Sequence, residues 1–255
     1  MAKFNTNSNT YIITYSVVMV VVVAVLLSLA ALGLKDRQDA NILNEKKSQI
    51  VKALGYDPAT VLYDDVVAEA ALLDAEGATA NDDVAKVFEA LQDVKGSYAA
   101  GSFPIFKAKD GSVVVPLYGN GLWGPVWGYI ALDTDMNTVK GVVFDHSGET
   151  PGLGAEITTA KHQAQYVGKS VYEGAELVGV TLKKGGADKS NLHEVDAITG
   201  GTKTSDGVSS MIKDCLASYK PYFVASKLAA EATVESAVEP AEQKSNDKNT
   251  ENNGK

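Results

Sequence analysis

Asp196-Ala-Ile-Thr-Gly-Gly-Thr-Lys-Thr-Ser-Asp-Gly-Val208 gathers Thr199, Thr202, Thr204 and Ser205 around Gly200 and Gly201, then enters a segment with helical periodicity. Val208, Met211, Ile212, Cys215, Leu216 and Tyr219 recur at helical spacing and form one apolar face. The pattern predicts a helix from about Ser205 to Tyr219, closed by Pro221. Hydroxyls and free backbone N–H groups at a helix start suit a phosphate, because the unpaired amides and the helix dipole both favour an anion. Gly200 and Gly201 let the backbone approach such a group with no Cβ in the way. Taken alone, the same stretch also fits an ordinary N-capped helix.

A second stretch, Gly148-Glu-Thr-Pro-Gly-Leu-Gly154, lies upstream. Pro151 fixes one φ, and Gly152 and Gly154 permit backbone conformations closed to other residues. Such a loop can offer backbone donors and acceptors to a planar ring, with Leu153 as an apolar wall and Thr150 as a bonding partner. A tight strand-to-helix turn that merely contains proline and glycine is the alternative. Further upstream stand Gly119-Asn-Gly-Leu-Trp123 and Val126-Trp-Gly128, whose tryptophans fit a core strand as well as a cofactor wall.

In this order, the three stretches resemble the FMN-binding domain of the NqrC family, which belongs to the sodium-pumping NADH:quinone reductases (Nqr), and of its relative in the Rnf complex. The motif shared by these proteins has the form Asp-x-x-Ser/Thr-Gly-Ala-Thr-x-Thr/Ser-Ser. Asp196, Thr199, Gly200, Thr202, Thr204 and Ser205 fit it, and Gly201 stands where alanine is usual. Glu149 to Gly154 match the family's Glu-Thr-Pro-Gly-Leu-Gly without change. The resemblance implies an α+β fold, an FMN-binding domain with an antiparallel sheet and flanking helices, behind one N-terminal transmembrane helix. It implies covalent FMN, joined by a phosphoester to Thr202, with Thr199 and Ser205 bonding around the phosphate. Gly200, Gly201, Thr204, Asp196, Glu149, Thr150, Gly152, Leu153, Gly154 and Trp123 complete the expected cofactor-binding set. Lys184 matches a family lysine near the flavin, where a cation would stabilise an anionic reduced ring; a solvated loop lysine is its other reading. Expected partners are the other subunits of a membrane redox complex, membrane lipid and, during maturation, a flavin transferase with FAD as donor.

Composition bounds what remains. Net charge is −9 across 255 residues, which argues against a nucleic-acid partner, since neutralising phosphates needs basic patches. The single cysteine, Cys215, excludes an internal disulfide and reads as a small buried hydrophobe. His146, His162 and His193 show no metal-ligand spacing, so no metal site is expected. No catalytic residue is assigned. Gly119-Asn-Gly-Leu-Trp-Gly124 has paired glycines but no βαβ unit with an acidic residue after it. NADH is therefore expected on another subunit, and the isolated chain is not expected to turn it over.

Tyr11 to Leu34 carries no charge and, at 1.5 Å per residue, spans roughly 36 Å, enough to cross a hydrocarbon core. The run is long for a signal peptide, and Leu32-Gly-Leu-Lys-Asp36 is a poor cleavage site, so a retained anchor is expected. No carboxylate lies within it to suggest an ion path. Lys3 and the α-amino group precede the run, while Lys35, Arg37, Lys46 and Lys47 follow it, so the positive-inside count does not put the N-terminus inside. The resemblance implies the opposite orientation, single-pass in the bacterial inner membrane with the large domain on the periplasmic side.

The chain then divides into an N-terminal arm (1–10), the membrane helix (11–34), a helical membrane-proximal region (35–98), the FMN-binding domain (99–225) and a disordered tail (226–255). Within 35–98, a helix is expected from Arg37 to Leu54 with Gly55 as its stop, short helical pattern from Asp57 to Ala80, and a capping signature at Asn81. Strands are expected at Phe103–Ala108, Ser112–Tyr118, Val126–Leu132, Thr138–Asp145 and Leu177–Leu182, the first two joined by an Asp110-Gly111 hairpin turn, and a helix at Thr159–Val167. From Ser226 the composition shifts to Ala, Glu, Lys, Ser and Asn, too polar to offset ordering entropy. Two rivals to the quinone-reductase reading stand: the corresponding member of an Rnf ferredoxin:NAD oxidoreductase complex, and a membrane-tethered binding module with no redox role.

Overall fold

The computed structural model describes residues 8–229. Residues 1–7 of the expected arm and 230–255 of the expected tail lie outside it. The first helix, α1, runs Asn9–Ala53, and the chain forms two units that part after Lys46. In the first unit every side chain from Tyr11 to Leu34 is exposed, with Leu32 at 72% and Val20 at 68%. Among the described residues this is the one helix long and apolar enough to cross a membrane.

The second unit begins with the last turns of α1. Its end has two linked carbonyl bonds, from the Tyr56 N–H to Val51 O (3.2 Å) and from the Gly55 N–H to Lys52 O (3.0 Å). That pairing needs a left-handed residue at 55, and Gly55 supplies it with φ 88°. Then follow α2 (Tyr63–Val66), β1 (Val67–Leu73), β2 (Thr79–Asn81), α3 (Val84–Ala90) and α4 (Val94–Ala99). Asp83 caps α3 and Asp93 caps α4, each accepting from an early backbone N–H of its helix.

Four longer strands come next, β3 (Phe103–Ala108), β4 (Val113–Asn120), β5 (Pro125–Leu132) and β6 (Val139–His146). With the first two they make a six-stranded antiparallel sheet in the order β2-β1-β3-β4-β5-β6. Along β5, Tyr129 and Ala131 join one core and Ile130 and Leu132 the other. The first core is closed by Ile50, Leu54, Val87, Phe88 and Leu91 from the helices. Covering both faces explains why these strands read as continuous apolar runs rather than alternating ones.

After β6 come a 3-10 turn (Gly154–Thr158), α5 (Ala160–Gln163), a further 3-10 turn (Ala164–Tyr166), and the short strands β7 (Tyr172–Glu173), β8 (Glu176–Leu177), β9 (Thr181–Lys183) and β10 (Glu194–Asp196). The helix α6 (Thr202–Ser218) closes the second core with Val208, Met211, Ile212, Cys215 and Leu216. It runs antiparallel along β4: a Cβ on Gly207 would strike Asn120 O, Gly119 lies under Met211, and the Cys215 thiol meets the backbone of Tyr118. The N-terminus of α6 therefore sits at the β4–β5 turn. Cys215 is the buried hydrophobe its position suggested, and burial pushes its thiol up to about 11.

Four expectations are corrected. The region 35–98 is not purely helical, because Val67-Ala-Glu-Ala-Ala-Leu-Leu73 is a strand paired along β3 from Val67↔Ala108 to Leu73↔Phe103. Its alanines and leucines favour helix locally, and pairing with β3 overrides that preference. The expected strand Leu177–Leu182 is split by Gly179 (φ 72°), with the Val178 and Gly179 N–H groups both on Val171 O; β8 pairs with β7, and β9 runs parallel to β10. The helix α6 starts at Thr202 rather than Ser205. Pro221 does not end the ordered chain: residues 220–229 form a further helix, α7, with Phe223 buried against Tyr219. Proline fits a first helical turn, where its missing N–H has no intrahelical partner to lose.

Phe106 is fully buried and packs against Tyr63 and Phe88 at the centre of the first core. Phe106→Ala is expected to destabilise the domain by about 3–5 kcal/mol in chemical denaturation, whereas the exposed Leu192→Ala should change it by less than about 0.5 kcal/mol.

Candidate functional site

Three segments meet at the end of the sheet where β4 turns into β5 and where β6 finishes, since His146 pairs with Val126. The first is the Gly121–Gly124 turn, closed by the Gly121 N–H donating to Gly124 O (2.8 Å). It lifts Leu122 and Trp123 into solvent, 53% and 69% exposed. Trp123 is thus not a core residue, and Trp127 is half-buried on β5.

The second segment is the loop after β6. Thr150 O accepts from the N–H groups of Leu153 (3.1 Å) and Ala155 (3.2 Å), and Gly152 turns with φ 76° while donating to Glu156 Oε1 (3.2 Å). Thr150, Pro151, Gly152 and Leu153 are exposed, and Gly154 is buried beneath them. The third is the turn from β10 into α6. The Gly201 N–H donates to Ile198 O, the Ser205 N–H to Gly201 O, and Ser205 Oγ accepts from the Ile198 N–H at 3.0 Å. Ser205 is therefore committed to the turn itself, while Thr199 and Gly200 are exposed.

The second and third segments touch. Gly200 has φ 75°, and a Cβ there would lie 2.5 Å from Leu153 Cδ2. A Cβ on Gly201 would meet Ile198 Cγ2 at 2.9 Å. Glycine at 201 therefore leaves room for the β-branched Ile198 beside it.

Glu149 joins the first and third segments. It is 4% exposed. Its Oε2 accepts from the Thr204 hydroxyl (2.5 Å) and its Oε1 from the Trp123 N–H (2.8 Å), with the Leu122 N–H also directed at the carboxylate. Both oxygens are thus held by the protein. Burial pushes this carboxyl up, and the three hydrogen bonds outweigh that effect to leave it below its ordinary value. The Glu149 N–H donates to His146 Nδ1 (3.2 Å), a contact that nothing in the motif foretold.

Thr202 and Thr204 separate sharply. Thr204 is 1% exposed with its hydroxyl on Glu149. Thr202 is the first residue of α6, exposed, with no side chain capping the helix. It stands where the first N–H groups of α6 lack intrahelical partners. Those donors suit the phosphate of FMN, and the apolar Leu153, Leu122 and Trp123 around them suit a ring, so the residues present fit the cofactor.

The remaining expected residues lie further back. Asp196 is exposed on β10, where its carboxylate accepts from the Ala187 N–H (2.8 Å) and its own N–H donates to Gln165 Oε1 (3.0 Å). It ties the turn that carries Lys184, which is exposed and bonded to none of the threonine-turn residues. Gln165 was missed because it is remote in sequence and lies outside every motif. Among the described residues no three potential metal ligands stand together.

Glu149 yields a pH prediction. A carboxyl held below its ordinary value stabilises the fold fully above the unfolded pKa of about 4.3, and that contribution is lost as pH falls through the lowered folded value. The Tm gap between the wild type and Glu149→Gln, read by thermal melts across pH, should be largest near neutrality and shrink below about pH 4.

Residues 121–217 match the FMN-binding domain family. The NqrC protein of the Na(+)-translocating NADH-quinone reductase of Haemophilus ducreyi is 32% identical over 259 residues, covering 91% of this chain and all of that protein. Its Vibrio vulnificus counterpart is 31% identical over 210 residues, covering 73% of this chain and 82% of that one. Among solved structures, the NqrC protein from Parabacteroides distasonis superposes with a TM-score of 0.68 at 34% identity, covering 74% of this chain and 96% of that chain. The Shewanella oneidensis NqrC gives 0.61 at 26% identity, covering 72% and 99%. At 32% identity over 91% of its length to such a relative, the chain belongs to the NqrC family of the Na(+)-translocating NADH-quinone reductases.

Proposed function

We propose that this chain carries FMN as a phosphoester on Thr202 and serves as an electron-transfer subunit of a membrane NADH:quinone reductase that couples electron flow to Na+ transport. The observation that carries the reading is the division of labour between the two threonines: Thr202 is open at the uncapped start of α6, and Thr204 is spent on Glu149. FMN supplies one- and two-electron chemistry when bound. Around it, the first turn of α6 holds the phosphate, Leu153 and Trp123 wall the ring, and Thr199 and Thr150 offer exposed hydroxyls at the rim. Lys184, in the turn tethered by Asp196, is the cation assigned to the reduced ring.

Attachment requires a second protein. Threonine is a weak nucleophile, and a flavin transferase with FAD as donor activates it. Thr202 Oγ forms a bond to the flavin-side phosphorus, the pyrophosphate bond breaks, AMP leaves with the bridging oxygen, and the hydroxyl proton passes to a base of the transferase. A covalent carrier stays at a fixed place in the complex whatever the free flavin concentration. Tyr11–Leu34 acts as a retained single-pass anchor in lipid of the inner membrane, with the large domain on the periplasmic side, and NADH and quinone bind other subunits.

Coexpression with a flavin transferase and denaturing gels viewed under ultraviolet light test this. Wild type and Thr204→Ala should fluoresce, and Thr202→Ala should not, although it folds, because losing a cap-region hydroxyl costs only about 0.5–2 kcal/mol. Thr204→Ala should keep its flavin but melt lower, since it removes a bond to a charged group worth about 1.5–3 kcal/mol. A dark wild-type band would favour the binding module without a redox role.

A further inference from the structure

Glu149 belongs by sequence to a cofactor-binding motif, yet neither of its carboxylate oxygens is free for a cofactor. Its partners come from two segments distant in the chain, the Thr204 hydroxyl on α6 and the Leu122 and Trp123 N–H groups on the β4–β5 turn. The surroundings are shaped to this carboxylate. A Cβ on Gly121 would collide with Oε1, and a Cβ on Gly154 would collide with Oε2 and with Thr204 Oγ1. Two glycines therefore leave the space that the carboxylate fills. Beyond its own Gly121–Gly124 bond, the tip it grips is not anchored by its side chains, since those of Leu122 and Trp123 are mostly in solvent. A neutral side chain would accept these three donors less strongly than an ionised one.

We infer that Glu149 is a positioning residue: it locks the Leu122–Trp123 tip to the first turn of α6, and so sets where the apolar wall stands relative to Thr202. The inference rests on the reading of Thr202 as the FMN attachment point. Backbone N–H bonds fix the tip while its side chains stay free to pack on a ring, so the wall is preorganised without being consumed by the core. A lock of this kind acts through Thr204 and Trp123, not by touching the cofactor. It also accounts for Thr204, whose hydroxyl is committed to the lock rather than to the phosphate.

The test uses the full-length protein in detergent, produced with and without a flavin transferase. In flavin-free protein, Glu149→Ala should speed hydrogen exchange of the 121–124 amides by roughly tenfold or more while exchange within β4 and β5 stays near wild type. Glu149→Gln, which keeps an accepting oxygen, should give a smaller rise. Thr204→Val keeps the carboxylate but cuts it from α6, and should change exchange in the same direction. In flavin-loaded protein, Trp123→Phe removes an indole that quenches the bound flavin by electron transfer, so flavin emission should rise. Glu149→Ala should raise it too, as the indole drifts away. Unchanged exchange at 121–124, or an equal rise throughout β4 and β5, would overturn the inference, because the carboxylate would then be merely a stabilising group. Failure of the attachment reading would look different: wild type would take up no flavin, and the exchange contrast would still be read on the flavin-free protein.

Discussion

A sheet buried on both faces leaves no room among its strands for a large cofactor, and that constraint places everything else. One face is closed by the end of α1 with α3, the other by α6, and both cores are apolar. A polar, anion-binding site can form only where the strands stop. There the β4–β5 turn, the loop after β6 and the N-terminus of α6 converge, because α6 runs antiparallel to β4. Glycine under the helix is part of the same constraint: Gly119 and Gly207 let α6 lie directly on the end of β4. A longer side chain at either position would lift the helix and carry the threonine turn away from the loop after β6.

Much of this was legible in the sequence, for physical reasons that differ by element. The four long strands announced themselves because a doubly covered sheet demands unbroken runs such as Val113-Val-Val-Pro-Leu117, punctuated by Asp110-Gly111. The helix α6 was readable from its apolar face, although it begins three residues before the point its periodicity marks. Thr202 sits in a hydroxyl-rich turn whose helical geometry depends on Ser205 and Ile198 bonding across it. Elements that depend on distant partners were not readable. Strand β1 is composed of helix formers and becomes a strand only because the edge of β3 is open to it. Pro221 looked like a stop and instead opens α7, because Phe223 has a pocket beside Tyr219.

The site divides along the same line. Residue types and spacing singled out the threonine turn and the Glu149–Gly154 loop, and the fold brings the two together, with Gly200 against Leu153. What the motif could not reveal is which members face outward. Thr204, Ser205 and Glu149 carry motif identity but are bonded inward, whereas Thr202, Thr199 and Leu153 are the ones left open. Gly201 is the instructive departure. Read by itself it loosens the turn; beside Ile198 it relieves a clash that alanine would bring.

The central claim is that the open hydroxyl of Thr202, not the committed one of Thr204, bears the flavin, and trypsin separates the two. Cleavage after Lys203 leaves Thr199 and Thr202 on a peptide running from Ser190 to Lys203, and Thr204 and Ser205 on one running from Thr204 to Lys213. Mass spectrometry of the native protein should find the FMN adduct on the first peptide, with fragment ions placing it on Thr202. An adduct on the peptide that begins at Thr204 would contradict the account.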